Sequence, residues 1–319
     1  MAQLPTTDTG SSAQPAPTVT LVLGSGAARG LAHIGVIEEL EQHGYAIRSI
    51  VGCSMGAVVG GFYAAGSLAG YKSWVCDLTR WDVLRFLDLS LTTRMGMMKG
   101  DLIMEKLRSL VGDQQIEDLP IPFTAIATDI VRRKEVWICT GDLFDAIRAS
   151  MAIPGLFTPQ RWQGRTLVDG GLLNPVPVAP ATDDGTDLTI AVNLAGKPVV
   201  APLGPVEPPP PQTEQNEEEE HRSRIESWLG TVQSALGLES KQTSNEDAEM
   251  SMSDVLIGMF DTMQASISRY RLAAYPPDLL IEIPENVCDP HDFHRAAELI
   301  AAGRYWTRQS LANQLTPDA

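Results

Sequence analysis

The chain has 319 residues, of which 44% are hydrophobic, and it carries a formal net charge of −16 at pH 7. A chain of this length buries about three quarters of its unfolded surface, which is enough for a core around an active site. We find no Lys/Arg cluster in the sequence, so nucleic acid and other polyanions are not expected as partners.

The first 18 residues are polar and rich in Pro, Ser and Thr, and they lack the basic start and the apolar stretch of a secretory signal. We expect them to form a flexible tail. No apolar run approaches the roughly 20 residues that span a bilayer. We therefore expect a cytoplasmic protein, and the sequence leaves peripheral contact with the inner membrane face open.

Four isolated cysteines show neither metal-binding nor redox spacing: Cys53, Cys76, Cys139 and Cys288. In a reducing compartment such cysteines are usually free thiols that pack as small hydrophobic residues. We expect them to be free and buried, and we expect no metal site and no cofactor.

The amino-terminal third alternates short apolar runs with helical patterns. Residues 19–23 predict a buried strand, and the glycine-rich segment 24–30 leads into a helix that extends to about His43. A second strand is predicted over 47–51, and a helix of small residues after it ends near Gly66.

Further strands are predicted over residues 123–127, 136–139, 166–168 and 188–192. Strands that alternate with helices favour an α/β fold, here a three-layer α/β/α architecture with a mainly parallel central sheet. Residues 251–319 are expected to complete this domain with a helix over 254–271, a strand over 279–283 and a helix from Phe293 onward.

The composition changes after Lys197. Residues 198–211 are rich in proline, and residues 212–254 hold eleven acidic against three basic side chains, which is half of the net charge. We expect residues 198–250 to be a mobile acidic insertion with one amphipathic helix.

Two apolar stripes at helical spacing lie in this carboxyl-terminal part. The first gives the insertion its amphipathic helix and consists of Ile225, Trp228, Leu229, Val232 and Leu236. The second predicts a helix that faces the core and consists of Met252, Val255, Leu256, Met259, Met263, Ile267 and Tyr270.

The segment 24–30 reads Gly-Ser-Gly-Ala-Ala-Arg-Gly and lies between a predicted strand and a predicted helix. A tight turn there directs backbone N–H groups and a helix amino terminus toward an anion. A nucleotide-phosphate loop is disfavoured, because no Gly-Lys-Ser/Thr follows and the spacing does not match GxGxxG. The segment therefore predicts an anion-binding loop.

Residues 52–56 form a GxSxG pentapeptide, Gly-Cys-Ser-Met-Gly, centred on Ser54. Such a pentapeptide in a loop is a common chance event, but here it lies between a predicted strand and a predicted helix. The flanking glycines permit the strained turn that holds a serine hydroxyl away from the backbone. The sequence therefore predicts that Ser54 is a nucleophile.

A third motif, Asp169-Gly170-Gly171, follows the predicted strand 166–168. Taken alone, Asp-Gly-Gly is an ordinary turn. Here it comes after an anion-binding loop and a serine elbow, all at strand ends of one sheet, where α/β folds place their sites. This order favours a functional role for the Asp169 carboxylate.

These motifs, in this order, resemble the patatin-like phospholipase family, and within it the bacterial branch similar to neuropathy target esterase. Segment 24–30 with the following Leu-Ala-His-Ile-Gly-Val resembles the oxyanion loop and helix of the family, and residues 148–154, Arg-Ala-Ser-Met-Ala-Ile-Pro, resemble its segment ahead of the Asp strand. The resemblance covers residues 19 to about 195, so 19–197 is the expected catalytic domain. Ser25 and Ala27 stand where many members carry glycine.

The resemblance implies that Ser54 attacks an ester carbonyl while Asp169 accepts its proton, without a histidine. It implies that the oxyanion is stabilised by the backbone amides of Gly26, Ala27, Ala28 and Arg29. The glycines that support the motif turns are Gly24, Gly30, Gly52, Gly56, Gly170 and Gly171. The implied substrate is an ester lipid, most plausibly a phospholipid or lysophospholipid.

Other interpretations stay open. The same acyl-enzyme permits acyl transfer to an acceptor other than water. A Ser-Asp-His triad with His291 or His294 fits the chain order, although the position of the loop and the Asp-Gly-Gly context oppose it. A regulatory or scaffold protein with a vestigial site is opposed by the intact Ser, Asp and loop. The sequence does not decide whether the chain forms homo-oligomers.

Overall fold

A computed structural model describes residues 16–86, 100–154, 156–182, 185–199 and 252–315 of the chain. Its strands are β1 (Thr18–Leu23), β2 (Ala46–Cys53), β3 (Phe123–Asp129), β4 (Lys134–Ile138), β5 (Gln160–Trp162), β6 (Arg165–Asp169), β7 (Leu188–Gly196) and β8 (Leu279–Pro284). Its helices are α1 (Ala32–Gln42), α2 (Met55–Ala64), α3 (Leu68–Cys76), α4 (Arg80–Phe86), α5 (Asp101–Val111), α6 (Leu143–Ser150), α7 (Met252–Ala274) and α8 (Ala296–Leu315).

All of these strands belong to one sheet with the order β5-β6-β3-β2-β1-β7-β8, and β4 pairs with β3 off this path. The central pairs β3-β2, β2-β1, β1-β7 and β7-β8 are parallel. The pairs of β3 with β4, of β3 with β6 and of β5 with β6 are antiparallel. The sheet is therefore mainly parallel, as the sequence predicts, with an antiparallel margin.

Alternation along β1 shows why both faces of the sheet are covered. Leu21 and Leu23 are fully buried in the larger core cluster, whereas Val22 between them is fully buried in a second cluster with Val51 and Ile126. Since successive side chains of a strand point to opposite faces, the two clusters are the two interfaces of a three-layer α/β/α fold.

The first and last helices pack closely on one face. A Cβ atom added at Gly35 of α1 would lie 1.9 Å from the carbonyl oxygen of Ile300, and one at Gly303 of α8 would lie 2.0 Å from that of Ala32. Glycine at both positions thus lets the backbones meet. Ion pairs of Arg304 with Glu38 and of Arg308 with Glu39 flank this contact.

Helix α7 contradicts the prediction of a core-facing apolar stripe. Met259 is 55% exposed and Tyr270 is 79% exposed, and Val255 and Met263 are exposed as well, whereas Gln264 and Ser268 are buried. The polar side of α7 faces the protein because it packs near polar motif residues, as described below. The prediction was wrong because periodicity locates the apolar face of a helix but does not show whether that face contacts the core or solvent.

Several other expectations need correction or fall outside the described residues. Cys53 and Cys288 are buried and free, but Cys76 and Cys139 are free and exposed. Strand β5 and helices α3 to α6 were not specified from the sequence, and the stripe of residues 225–236 lies outside the described residues. In the described part of the chain, no helix has the length and hydropathy needed to cross a membrane.

Candidate active site

Ser54 lies between β2 and α2 in a backbone conformation that non-glycine residues rarely adopt. Its φ is 55° and its ψ is −120°. An added Cβ at Gly52 would lie 2.5 Å from the carbonyl oxygen of Gly56, and one at Gly56 would lie 2.0 Å from that of Leu23. The two flanking glycines thus permit the sharp turn that the pentapeptide predicts, and the serine occupies its strained apex.

The strained turn is held by a second serine that the sequence analysis did not single out. The Ser54 amide donates a hydrogen bond to Ser150 Oγ at 2.9 Å, and Ser150 Oγ donates to the carbonyl oxygen of Ile126 at 2.6 Å. Ser150 is the last residue of α6 and is fully buried. Its hydroxyl therefore joins the elbow to the neighbouring strand β3.

Strand register brings Asp169 beside the elbow. Cys53, which precedes Ser54, pairs with Ile126 of β3, and Asp169 pairs with the next residue, Ala127. Strand β6 runs antiparallel to β3, so its last residue meets the end of β2. Two motifs more than 100 residues apart in sequence thus meet at adjacent positions of one strand.

Asp169 is a fully buried carboxylate. Its Oδ1 accepts a hydrogen bond from the Gly171 amide at 2.7 Å, whereas Oδ2 has no partner at normal hydrogen-bonding distance among the described residues. Burial raises the pKa of Asp169 to about 7, and the neighbouring Ser54 hydroxyl and the Gly171 amide lower this pKa in part. The Ser54 hydroxyl therefore lies close enough to Asp169 to lower its pKa, although no hydrogen bond of normal length joins the two side chains. Catalytic hydrogen bonds often tighten only when substrate binds.

The loop of residues 24–30 is fixed by its neighbours through backbone hydrogen bonds. The amides of Gly24 and Ser25 donate to the carbonyl oxygens of Val192 and Pro175. The Ala28 amide donates to the carbonyl oxygen of Pro290 at 3.1 Å, so it is not free to bind an oxyanion, contrary to the prediction.

The predicted donors Gly26 and Ala27 differ from Ala28. Neither amide donates a hydrogen bond to another described residue. Ala27 has a φ of 48°, in the left-handed region that favours glycine. The departure from glycine at this position is therefore accommodated by backbone strain, and the amides of Gly26 and Ala27 are both left unpaired among the described residues.

The motif glycines share one property: an added Cβ would approach another atom to less than 3 Å. This holds for Gly24, Gly26, Gly30, Gly52, Gly56, Gly170 and Gly171. At Gly26 the atom met is Leu194 Cδ1, at 2.4 Å. Close packing, and not unusual φ, explains why these positions hold glycine.

The side chain of Arg29 has a structural role that the sequence did not indicate. It is largely buried, and its Nε donates to the carbonyl oxygen of Gly26 at 3.3 Å. One terminal nitrogen donates to the carbonyl oxygen of Glu285 at 3.2 Å, and the other pairs with Asp261 of α7 at 3.3 Å. Arg29 thus ties the loop to α7 and to the end of β8.

The histidines in the described residues do not contact Asp169. His33 is buried near the start of α1, where its Nε2 lies 2.8 Å from the carbonyl oxygen of Gly24, and burial lowers its pKa to about 4. It is therefore neutral and supports the loop. His294 Nε2 accepts a hydrogen bond from Arg80. Among the described residues, no hydrogen bond joins Asp169 to a histidine, and this does not favour the triad with His291 or His294.

A cavity of about 760 Å³ borders the loop. Its lining is mostly polar and includes Ser25, Arg29, Asn193, Gln264, Asn286 and Arg295. Ser54 and Asp169 do not line it, and Ser54 is only 2% exposed. Gln264 connects the cavity to the site, because its side chain lies against Gly171. Among the described residues, no group of three or more His, Cys, Asp or Glu is placed to hold a metal ion.

A mainly parallel three-layer sheet with a serine elbow and a buried carboxylate at its strand ends defines an α/β protein of the hydrolase class. The patatin-like phospholipase family model matches residues 21–182. An uncharacterized NTE family protein of Mycobacterium tuberculosis is 40% identical over 92% of this chain and 91% of its own length. The chain therefore belongs to the patatin-like phospholipase family.

More distant relatives match about half of this chain and a small share of their own length. The lysophospholipase nte1 of Emericella nidulans is 32% identical over 55% of this chain and 12% of its own length. The patatin-like phospholipase domain-containing protein 6 of Mus musculus is 32% identical over 56% of this chain and 14% of its own length. The family and these relatives support a lipid ester hydrolase.

Proposed function

We propose that the protein is a serine acyl hydrolase that cleaves carboxylic esters of lipids through Ser54 and Asp169. One observation carries this proposal: the strained Ser54 stands beside a buried Asp169 whose pKa is raised to about 7. An aspartate with its ordinary pKa is too weak a base to take a serine proton at neutral pH. Burial brings the pKa of Asp169 near the range in which a general base works best.

In the first step, Ser54 Oγ attacks the ester carbonyl carbon and its proton passes to Asp169 Oδ2, which has no other partner among the described residues. The carbonyl oxygen becomes an oxyanion, for which we propose the unpaired amides of Gly26 and Ala27 as donors. One such donor is typically worth about 3–4 kcal/mol of transition-state stabilisation. The Ser54 and Asp169 side chains therefore carry out the attack, whereas backbone amides stabilise the charge.

In the second step, the tetrahedral intermediate collapses and the ester C–O bond breaks. The proton on Asp169 passes to the departing alkoxide oxygen, which leaves an acyl group on Ser54. Water then attacks this acyl group while Asp169 accepts a proton from the water. Collapse releases the carboxylic acid, and the proton returns from Asp169 to Ser54 Oγ.

The substrate class follows from the family and the cavity. The polar lining of the cavity suits the headgroup of a phospholipid or lysophospholipid better than an acyl chain. Two of its residues, Ser25 and Arg29, belong to the proposed oxyanion loop. We infer that the polar end of the substrate lies there, next to the scissile ester.

The test compares the wild-type chain with Ser54→Ala on a panel of p-nitrophenyl esters and defined phospholipids and lysophospholipids. We expect fatty acid release by the wild type and none by the variant. Release of equal amounts by both chains would contradict the proposal. An acyl ester of an added alcohol, formed in place of free fatty acid, would instead support acyl transfer by the same site.

A further inference from the structure

The turn between β3 and β4 presents two apolar side chains to solvent. Val131 is 73% exposed and Ile130 is 43% exposed. The turn is held in place by Asp129, whose Oδ1 accepts hydrogen bonds from the amides of Val131 and Arg132 and whose Oδ2 pairs with the Arg132 guanidinium at 2.8 Å. The apolar tip is therefore an ordered feature that water does not favour.

Three basic residues directly follow this apolar tip in the sequence. Residues 132–134 read Arg-Arg-Lys, and all three are exposed. Asp129 neutralises Arg132, but neither Arg133 nor Lys134 makes an ion pair within the described part of the chain. The expectation that the chain has no Lys/Arg cluster is therefore wrong at this turn. In a chain with a net charge of −16, two uncompensated cations beside an apolar tip are unexpected.

The turn lies at the same end of the sheet as Ser54, where the parallel strands have their carboxyl ends. Strands β2 and β3 are parallel, and Cys53 pairs with Ile126, four residues before Ile130. At about 3.3 Å per strand residue, the tip extends roughly 13 Å beyond the level of Cys53, the residue before the nucleophile. The tip therefore stands in front of the proposed site and not behind it.

Helix α7 lies beside this hairpin. The Arg271 guanidinium of α7 donates to the Glu135 carboxylate, which directly follows Lys134. The exposed residues of α7 in positions 255–274 include Met259, Met263 and Tyr270 but no carboxylate. The element next to the turn thus continues an apolar surface, and its partly exposed carboxylate, Asp261, is paired with Arg29. Tyr and Arg are residue types suited to a membrane interface.

We propose that the β3–β4 turn, residues 130–134, is the point at which the protein contacts an anionic lipid surface. Ile130 and Val131 would enter the lipid, and Arg133 and Lys134 would bind lipid phosphates. Nucleic acid fits less well, since it does not require exposed aliphatic side chains. The proposal rests on the proposed function in one respect, because contact at this edge brings the lipid toward Ser54.

The experiment measures co-flotation of the full chain with vesicles of phosphatidylcholine alone or of phosphatidylcholine with phosphatidylglycerol. The chain carries Ser54→Ala, so hydrolysis does not alter the vesicles, and binding is scored independently of catalysis. Val131→Ser and Arg133→Gln are tested separately and together. Arg48→Gln is the matched control, because it removes one exposed cation near the amino-terminal end of β2, at the opposite end of the sheet from Ser54. Circular dichroism and thermal melts establish that each variant is folded.

We expect binding that requires phosphatidylglycerol and weakens with added salt. Arg133→Gln should weaken it about fivefold, and the double variant at least tenfold, whereas Arg48→Gln should stay within about twofold. Double-variant binding equal to that of the parent, or no binding by the parent, would overturn the proposal. A dimer that light scattering detects in the parent and that Val131→Ser abolishes would also overturn it, since the tip would then be a protein interface. Hydrolysis of a short soluble ester by each variant with Ser54 restored reports on the proposed function separately.

Discussion

The Ser54 amide and the Ser150 hydroxyl lie 2.9 Å apart, and this hydrogen bond fixes the backbone of the proposed nucleophile at its strained φ of 55°. Because the same hydroxyl donates to Ile126, whose strand neighbour Ala127 pairs with Asp169, it also sets the spacing between the elbow and the carboxylate. Ser150 is therefore a positioning residue, since it touches the backbone of the site.

Ser150→Ala should lower kcat by about 10- to 100-fold with little change in KM, because a small displacement of a nucleophile costs about this much. The variant should also lose about 1–3 kcal/mol of stability, since two buried polar groups lose their partner. Thr307→Val is the control, because it removes a buried hydroxyl from α8, where it donates to Gly303. If both variants lose stability and neither loses kcat, Ser150 has only a structural role.

The raised pKa of Asp169 predicts how activity and stability depend on pH. A buried carboxyl whose pKa rises from 3.8 to about 7 binds its proton more tightly in the folded chain than in the unfolded chain. This residue therefore makes the folded state less stable as pH increases from about 4 to about 7. Since the ionised form is the base, kcat/KM should rise over the same range and level off above pH 7.

Asp169→Asn tests both expectations. Hydrolysis should fall at least about a thousandfold. The free energy of unfolding relative to wild type should increase between pH 4 and pH 8, by at most roughly 4 kcal/mol. Denaturant melts at several pH values measure this difference. A difference that does not change with pH would mean that Asp169 titrates near its ordinary value.

The packing of Gly26 against Leu194 gives a prediction for the loop. A side chain at Gly26 would collide with Leu194, so Gly26→Ala should cost about 1–3 kcal/mol of stability as well as activity. Leu194→Ala alone should cost about 2–5 kcal/mol. The double variant should lose less stability than the sum of the two single-variant losses, by at least about 1 kcal/mol, because the smaller residue 194 makes room for the new side chain. Additive costs would show that the contact with Leu194 does not select glycine.

Arg29 should not tolerate lysine. Arg29→Lys keeps the charge but loses the fork that reaches Gly26, Glu285 and Asp261, so we expect a loss of about 1–3 kcal/mol and a lower kcat. Asp261→Asn, which removes only the ion pair with a partly exposed carboxylate, should cost less than about 1 kcal/mol. Equal losses in the two variants would show that the ion pair, and not the fork, holds the loop.

The motifs of the candidate site were predictable because their signals are local. A strand, a glycine-rich turn and a helix follow one another directly in residues 18–42, and again in residues 46–64. The mainly parallel sheet follows from the same alternation. The proximity of Ser54 and Asp169 required the further knowledge that β6 pairs with the end of β3, which no local pattern specifies.

The missed features depend on contacts between residues distant in sequence. The Arg29–Asp261 pair joins residues 232 positions apart, and the Ala28–Pro290 hydrogen bond removes a predicted oxyanion donor through a loop near the carboxyl terminus. Helix α7 was assigned the wrong inner face because its partners are polar groups of the site. A serine such as Ser150 gives no sequence signal unless the strand that it joins is known.

Reaction with a fluorophosphonate probe tests the assignment of Ser54 and Asp169 most directly. Peptide mapping by mass spectrometry locates the adduct, and its rate of formation is compared among the wild type, Asp169→Asn and the double variant His291→Ala/His294→Ala. We predict an adduct on Ser54 that forms at least about a hundredfold more slowly in Asp169→Asn and at an unchanged rate in the histidine variant. An adduct on another residue, or a wild-type rate in Asp169→Asn, would contradict this assignment.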